Sequence, residues 1–236
     1  MSFRAKASAM AVIVAACILL APTAMAAGAS RGPVQVTGKQ LKSALIPASG
    51  FLPGYVTIFA GNSGGRLEHG ATRFVAPMNC FIFWNSIGID NGYGETAFAT
   101  DVVGPKSGTV TTVAEIFSQT VYQFASTHTA TTFLSQLNAK YRSCRSTSVS
   151  DTKGGTLRWA VHSQSKLRVG GHQALQVVEY LSDSKVPGPP AVSYLLWTVN
   201  GADIYLISTQ LLSTTSPQPT QSSLTLKLIA RVTALR

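Results

Sequence analysis

The stretch Gly61-Asn62-Ser63-Gly64-Gly65 has the G-x-S-x-G spacing that places a serine nucleophile on a sharp turn in many hydrolases. Trypsin-like and subtilisin-like enzymes need a histidine and an acid before that serine, and neither precedes Ser63 here. The α/β-hydrolase order of serine, acid and histidine stays open, but it requires a helix directly after the serine. Because three more glycines and no apolar helical stripe occupy residues 64–74, the sequence predicts a turn and no catalytic residue.

The other residues with chemical potential are too dispersed to predict an active site or a metal centre. No histidine pair has the H-x-x-x-H or H-E-x-x-H spacing of a metal site, and the nine acids include no close pair. Gly92-Tyr93-Gly94 lacks the strand and helix of a dinucleotide-binding loop. We therefore expect a protein that is not an enzyme, with no metal and no cofactor. The histidines are His69, His128, His162 and His172.

The beginning of the chain has the pattern of an export signal over residues 1–26. Arg4 and Lys6 precede an apolar run over residues 7–21, and Ala24-Met25-Ala26 supplies the small side chains of a cleavage site. That run is too short for a membrane span, and no other stretch reaches 18 apolar residues, so the mature chain has no predicted span. We expect a chain exported to the cell envelope or secreted.

Cys17 offers an alternative, because Val14-Ala15-Ala16-Cys17 fits a loose lipobox in which the cysteine would carry lipid and anchor the protein to a membrane. The run Ile18-Leu19-Leu20 continues the apolar segment, whereas lipoproteins turn polar after the lipidated cysteine. Simple secretion is therefore favoured. Residues 27–35 are predicted to be a flexible lead-in and residues 36–236 a single domain.

Two cysteines, Cys80 and Cys144, remain after cleavage. In an exported protein an even pair predicts one disulfide, here closing a loop of about 65 residues and stabilising the fold by roughly 4 kcal/mol. The alternative is a metal site, which is disfavoured because no histidine or third cysteine stands at ligand spacing.

Loss of Arg4 and Lys6 lowers the net charge from +10 to +8. The basic side chains are scattered, apart from Lys140, Arg142 and Arg145. Such a surface is suited to binding an anionic envelope polymer or a partner protein. An exported protein is not expected to bind nucleic acid.

Periodicity predicts an α+β domain. Apolar residues at helical spacing predict helices over residues 37–46, around Phe133–Cys144 and over residues 219–235, with Ser126 or Thr127 at the start of the second. From residue 156 the period becomes two, and Asn200-Gly201 separates two strands as in a type I′ hairpin. This order of elements favours helices packed on one curved antiparallel sheet.

Four aromatic residues are candidates for the wall of an apolar ligand cleft, with core packing as the alternative for each. They are Trp84, Trp159, Tyr194 and Trp197.

The chain also resembles a known family. "VTGKQLKSALIPASGFLPGY", "APMNCFIFWNSIG", "VYQFASTHTATTFLSQLNAKYRSC" and "VGGHQALQVVEY" occur in the order typical of exported actinobacterial proteins similar to the extracellular sensor domain of the mycobacterial kinase PknH. The resemblance covers about residues 36–235.

This resemblance implies an α+β domain with a curved antiparallel sheet, a large cleft for an unidentified ligand and a bridge matching Cys80–Cys144. Kinase-linked members have a second disulfide, for which this chain has no cysteines. It also implies a non-catalytic sensor or binding domain. An interaction protein that binds an anionic polymer or a partner through its basic surface is the alternative.

Overall fold

The computed structural model describes residues 34–62, 95–106, 115–150, 155–185, 188–211 and 218–236. The chain divides into the units Met1–Arg31 and Gly32–Arg236, and every described residue lies in the second. In chain order the elements are α1 (Gly38–Ala44), a 3₁₀ turn (Ala48–Gly50), β1 (Tyr55–Asn62), β2 (Glu95–Pro105), β3 (Glu115–Phe124), α2 (Thr127–Ser143), β4 (Ser146–Ser150), β5 (Thr156–Val169), β6 (His172–Asp183), β7 (Ala191–Asn200), β8 (Asp203–Leu211) and α3 (Gln218–Thr233).

The strands form one open antiparallel sheet in the order β1-β2-β3-β8-β7-β6-β5-β4. All seven neighbouring pairs are antiparallel, so the α+β class and the antiparallel sheet predicted from periodicity are confirmed. Bulges interrupt the register in β1, β2 and β5, and a bulge bends its strand and increases the local twist.

Helices cover both faces of the sheet. On one face α2 packs its apolar stripe on β3, β8, β7, β6 and β5 and forms the α2 core. On the other face α1 and α3 pack on β2, β3 and β8. Alternate residues of β8 supply both cores, since Ile204 and Leu206 face α2 while Tyr205 and Ile207 face α1 and α3.

The predicted helix starts are confirmed. Thr37 caps α1 in a capping box with Gln40, and the Ser126 side chain accepts a hydrogen bond from the Thr129 amide at the start of α2. Such caps satisfy backbone N–H groups that have no partner within the helix.

The β7–β8 hairpin is present, but the predicted turn is displaced by one residue. Asn200 pairs with Asp203, so the two turn residues are Gly201 and Ala202 rather than Asn200 and Gly201. Gly201 takes a φ of 58°, and the Ala202 carbonyl accepts a hydrogen bond from the Phe124 amide at 2.8 Å. This hydrogen bond joins the turn to β3 through Ala202. It is a tertiary contact, so the turn preferences of the local sequence do not predict it.

Candidate ligand-binding cavity

A cavity of about 550 Å³ lies between α2 and the hairpin formed by β5 and β6. This volume is within the range of small-molecule sites in proteins. Its wall combines polar side chains of α2, two basic side chains of β5 and the start of β6. The lining residues are Thr131, Leu134, Ser135, Asn138, Lys166, Leu167, Arg168, Gln173, Ala174 and Leu175.

The polar wall comes from one edge of α2. Thr131, Ser135 and Asn138 recur at intervals of four and three residues and therefore lie on one side of the helix. They flank the buried stripe that includes Leu134 and Leu137, which holds α2 on the sheet. Packing of the stripe thus fixes the orientation of the polar edge.

A two-glycine turn shapes the opposite wall. Val169 pairs with His172, and the intervening Gly170 and Gly171 have φ values of 56° and 86°. Positive φ at both positions is the requirement of a type I′ hairpin, which joins long, regularly twisted strands. This turn is absent from the sequence predictions, although a Gly-Gly pair between two strand-like runs is its signal.

A bulge in β5 determines which side chains face the cavity. The register shifts between Val161 and Ser163. Odd-numbered residues of β5 before the bulge and even-numbered residues after it therefore project from the same face of the sheet. Trp159 and Val161 therefore share a face with Gln164, Lys166 and Arg168. Strict alternation would have placed the two basic residues on the other face.

Gln164 ties β5 to α2 beside the cavity. Its Nε2 donates to the Asn138 backbone oxygen at 2.8 Å and to Asn138 Oδ1 at 2.6 Å. Gln164 Oε1 is buried and makes no hydrogen bond within the described ranges. These bonds orient the Asn138 amide, whose Oδ1 is occupied by Gln164.

The charge of the cavity is positive. Lys166 and Arg168 are both exposed, and no aspartate or glutamate is among the residues that line the cavity. Arg168 Nη1 donates to the Gly171 carbonyl at 2.7 Å, which holds the guanidinium beside the hairpin turn. Neither side chain forms an ion pair across the described parts of the chain.

The same sheet face carries a carboxyl group further along β6. Glu179 pairs with Val161 in the register, and burial raises the pKa of Glu179 to about 7 against the opposing effect of hydrogen bonds from the Trp159 and Tyr141 side chains. The rings of Tyr141 and Trp159 lie 6.4 Å apart. Trp159 is thus a core residue whose side chain also forms a hydrogen bond with the Glu179 carboxyl group.

The predicted aromatic residues do not meet in one place. Trp159 and Trp197 are buried in the α2 core, whereas Tyr194 lies in a separate cluster with Val192 and Leu211. None of these three lines the cavity, and Trp84 lies outside the described residues. Their contact with a ligand stays a prediction.

Three of the remaining sequence candidates, Cys17, Ser63 and Cys80, lie outside the described residues. The strand before Ser63, β1, belongs to an antiparallel sheet rather than to the sheet of an α/β-hydrolase. Among the described residues no three potential ligands come together as a metal site. His128 and His162 are exposed.

Cys144 caps the end of α2 and is 1% exposed. Its predicted partner, Cys80, lies outside the described residues. The pairing with Cys80 therefore stays a prediction.

Comparison with known proteins identifies related domains. The family model described as "PknH-like extracellular domain" matches residues 62–194. The crystal structure of the extracellular domain of PknH from Mycobacterium tuberculosis superposes with a TM-score of 0.62 at 12% identity, covering 84% of this chain and 97% of that domain. At this identity the superposition demonstrates the fold. No curated protein sequence matches.

In the part of the chain that the structure describes, no helix has the length and hydrophobicity to cross a bilayer.

Proposed function

The chain belongs to the PknH-like extracellular domain family, an extracytoplasmic sensor domain, and we propose that it holds a small ligand non-catalytically in the cavity between α2 and the β5–β6 hairpin. The observation that carries the proposal is the cavity itself, about 550 Å³ with polar and apolar walls. Ligand sites combine apolar surface for burial with a few polar groups for orientation, and this wall offers both.

The proposal also covers how the domain is exported and stabilised. We infer that residues 1–26 are removed as a signal peptide and that a Cys80–Cys144 bridge stabilises the mature fold. If Cys17 is lipidated instead, the same domain would stand on a membrane surface.

The test is native mass spectrometry of the purified exported protein, followed by thermal unfolding with and without the molecule that co-purifies. The informative variant is Ser135→Trp, because Ser135 is an exposed cavity residue on α2 and an indole would fill part of the space. Gln136→Trp is the matched control, since it puts the same side chain on the exposed neighbouring position that does not line the cavity.

We expect the co-purified molecule to be lost from Ser135→Trp and retained by Gln136→Trp. Equal retention by both variants would place the ligand elsewhere. Binding to cell-wall fractions that weakens with salt and is equal in both variants would favour instead the interaction protein that binds an anionic polymer through its basic surface.

A further inference from the structure

We propose that the cavity recognises a small hydroxylated anion of the sugar phosphate class, with its anionic group held by Lys166 and Arg168. This inference rests on the proposed function, because it specifies the chemistry of a ligand in the same cavity. It adds a charge requirement that an apolar or neutral ligand would not have.

The two basic side chains form the anion-binding part of the wall. They stand two residues apart on one face of β5, so their Cα atoms are about 6.5 Å apart and both cationic groups can reach one phosphate. The bond from Arg168 Nη1 to the Gly171 carbonyl uses one of the five N–H groups of the guanidinium and restrains its position. A restrained donor loses less conformational entropy when it binds an anion.

The edge of α2 supplies donors and acceptors suited to hydroxyl groups. Asn138 Oδ1 accepts from Gln164, so the planar amide is fixed, and Asn138 Nδ2 makes no hydrogen bond with any other described residue. Ser135 is exposed one helical turn earlier, and Gln173 is exposed opposite Arg168 in the register. These groups can both donate to and accept from ligand hydroxyls.

The floor of the cavity is apolar. Leu134 of α2 and Leu175 of β6 are buried and contribute to the lining. The C–H face of a sugar ring can pack against such a surface while its hydroxyls meet the polar edge. A purely inorganic anion would leave this floor unused, which favours an organic phosphate.

The test is isothermal titration calorimetry with glucose 6-phosphate, glucose and inorganic phosphate as probes. The variant is the double substitution Lys166→Gln and Arg168→Gln. Its charge-matched control is Arg158→Gln with Lys227→Gln, because both of these residues are exposed and neither lines the cavity. Arg158 lies on the same strand but, being before the bulge, on the opposite face.

We expect glucose 6-phosphate to bind more tightly than phosphate or glucose, and the double variant to weaken it about tenfold or more. The control should stay within about twofold. Equal weakening in both double variants would overturn the inference, since it would reflect net charge alone. Failure of glucose 6-phosphate to bind would overturn it as well, unless vesicles carrying phosphatidylinositol bind in a manner lost in the double variant, which would identify a lipid headgroup as the source.

The two experiments together distinguish a wrong ligand class from a wrong binding site. If a neutral molecule co-purifies and is lost in Ser135→Trp while no phosphate-bearing probe binds, the cavity is a ligand site and only the anionic class is wrong. If Ser135→Trp changes nothing and no probe binds, both are wrong.

Discussion

Gln164 Nε2 lies 2.6 Å from Asn138 Oδ1 and 2.8 Å from the Asn138 backbone oxygen, so one side chain of β5 holds the polar edge of α2 in place. Both acceptors are on a residue that is 8% exposed. Asn138, whose amide oxygen accepts from Gln164, also lines the proposed ligand cavity.

Gln164→Leu should therefore lower the free energy of unfolding by about 1–3 kcal/mol, since the buried Oδ1 of Asn138 loses its donor and its backbone oxygen loses a second bond. Urea unfolding followed by circular dichroism measures the change. The control is Gln136→Leu, because Gln136 is an exposed glutamine of α2, the helix that contains Asn138. This substitution should change stability by less than about 0.5 kcal/mol. Equal stability of Gln164→Leu and the wild type would show that these bonds contribute nothing net.

Glu179 should make stability depend on pH. Its pKa is about 7 in the folded protein, against 4.5 for a glutamate in water, so between these values the folded state keeps a proton that the unfolded state releases. Stability therefore falls as pH rises through this window, and the penalty is complete above pH 7. We expect Glu179→Gln to be more stable than the wild type at pH 8 by up to about 3 kcal/mol and similar to it at pH 4.

Thermal unfolding of both proteins from pH 4 to pH 8 measures this difference. Asp183→Asn is the control, because it removes a partly exposed carboxylate from the end of the same strand and should give no gain at pH 8. A constant difference between Glu179→Gln and the wild type at every pH would contradict the assignment.

Much of the fold follows from local patterns. The stripe of α2 and its serine cap, the helix near the C-terminus and the β7–β8 hairpin all have short-range signals, and the structure contains each of them. The order of strands in a sheet depends on longer-range contacts. Consecutive strands joined by tight hairpins or short connections nevertheless tend to be antiparallel neighbours, as β5 to β8 are here.

The cavity was not predictable in the same way. It depends on the bulge between Val161 and Ser163, and no residue type at that point marks a break in alternation. Strict alternation through the bulge would separate Lys166 from Trp159, so the basic pair would not be assigned to the α2 face. The aromatic candidates stand out by residue type, but Trp197 is 2% exposed because α2 covers it, a long-range contact that composition cannot specify.

The bridge between Cys80 and Cys144 is testable in solution. We expect the exported protein to resist thiol alkylation until it is reduced, and the double variant Cys80→Ser and Cys144→Ser to lose up to roughly 4 kcal/mol of stability. Intact mass before and after alkylation measures the free thiols, and the same spectrum gives the first residue and any acyl chain. Two thiols that react in the absence of reductant would exclude the bridge.

Arg236 and Asp203 offer a final prediction, about the stability of the β7–β8 hairpin. Asp203 is fully buried, and its Oδ1 and Oδ2 accept from Arg236 Nη2 at 2.8 Å and from Tyr205 Oη at 3.1 Å. Arg236→Gln removes the charge that compensates a buried carboxylate, so it should destabilise the protein by about 2–4 kcal/mol.

Adding Asp203→Asn to Arg236→Gln should recover part of that loss, because the second substitution removes the uncompensated charge and keeps an acceptor for Tyr205. A double-mutant cycle by urea unfolding measures the coupling between the two positions, with Arg158→Gln as an exposed control expected to change stability by less than about 0.5 kcal/mol. Strictly additive losses would show that Arg236 and Asp203 do not stabilise one another.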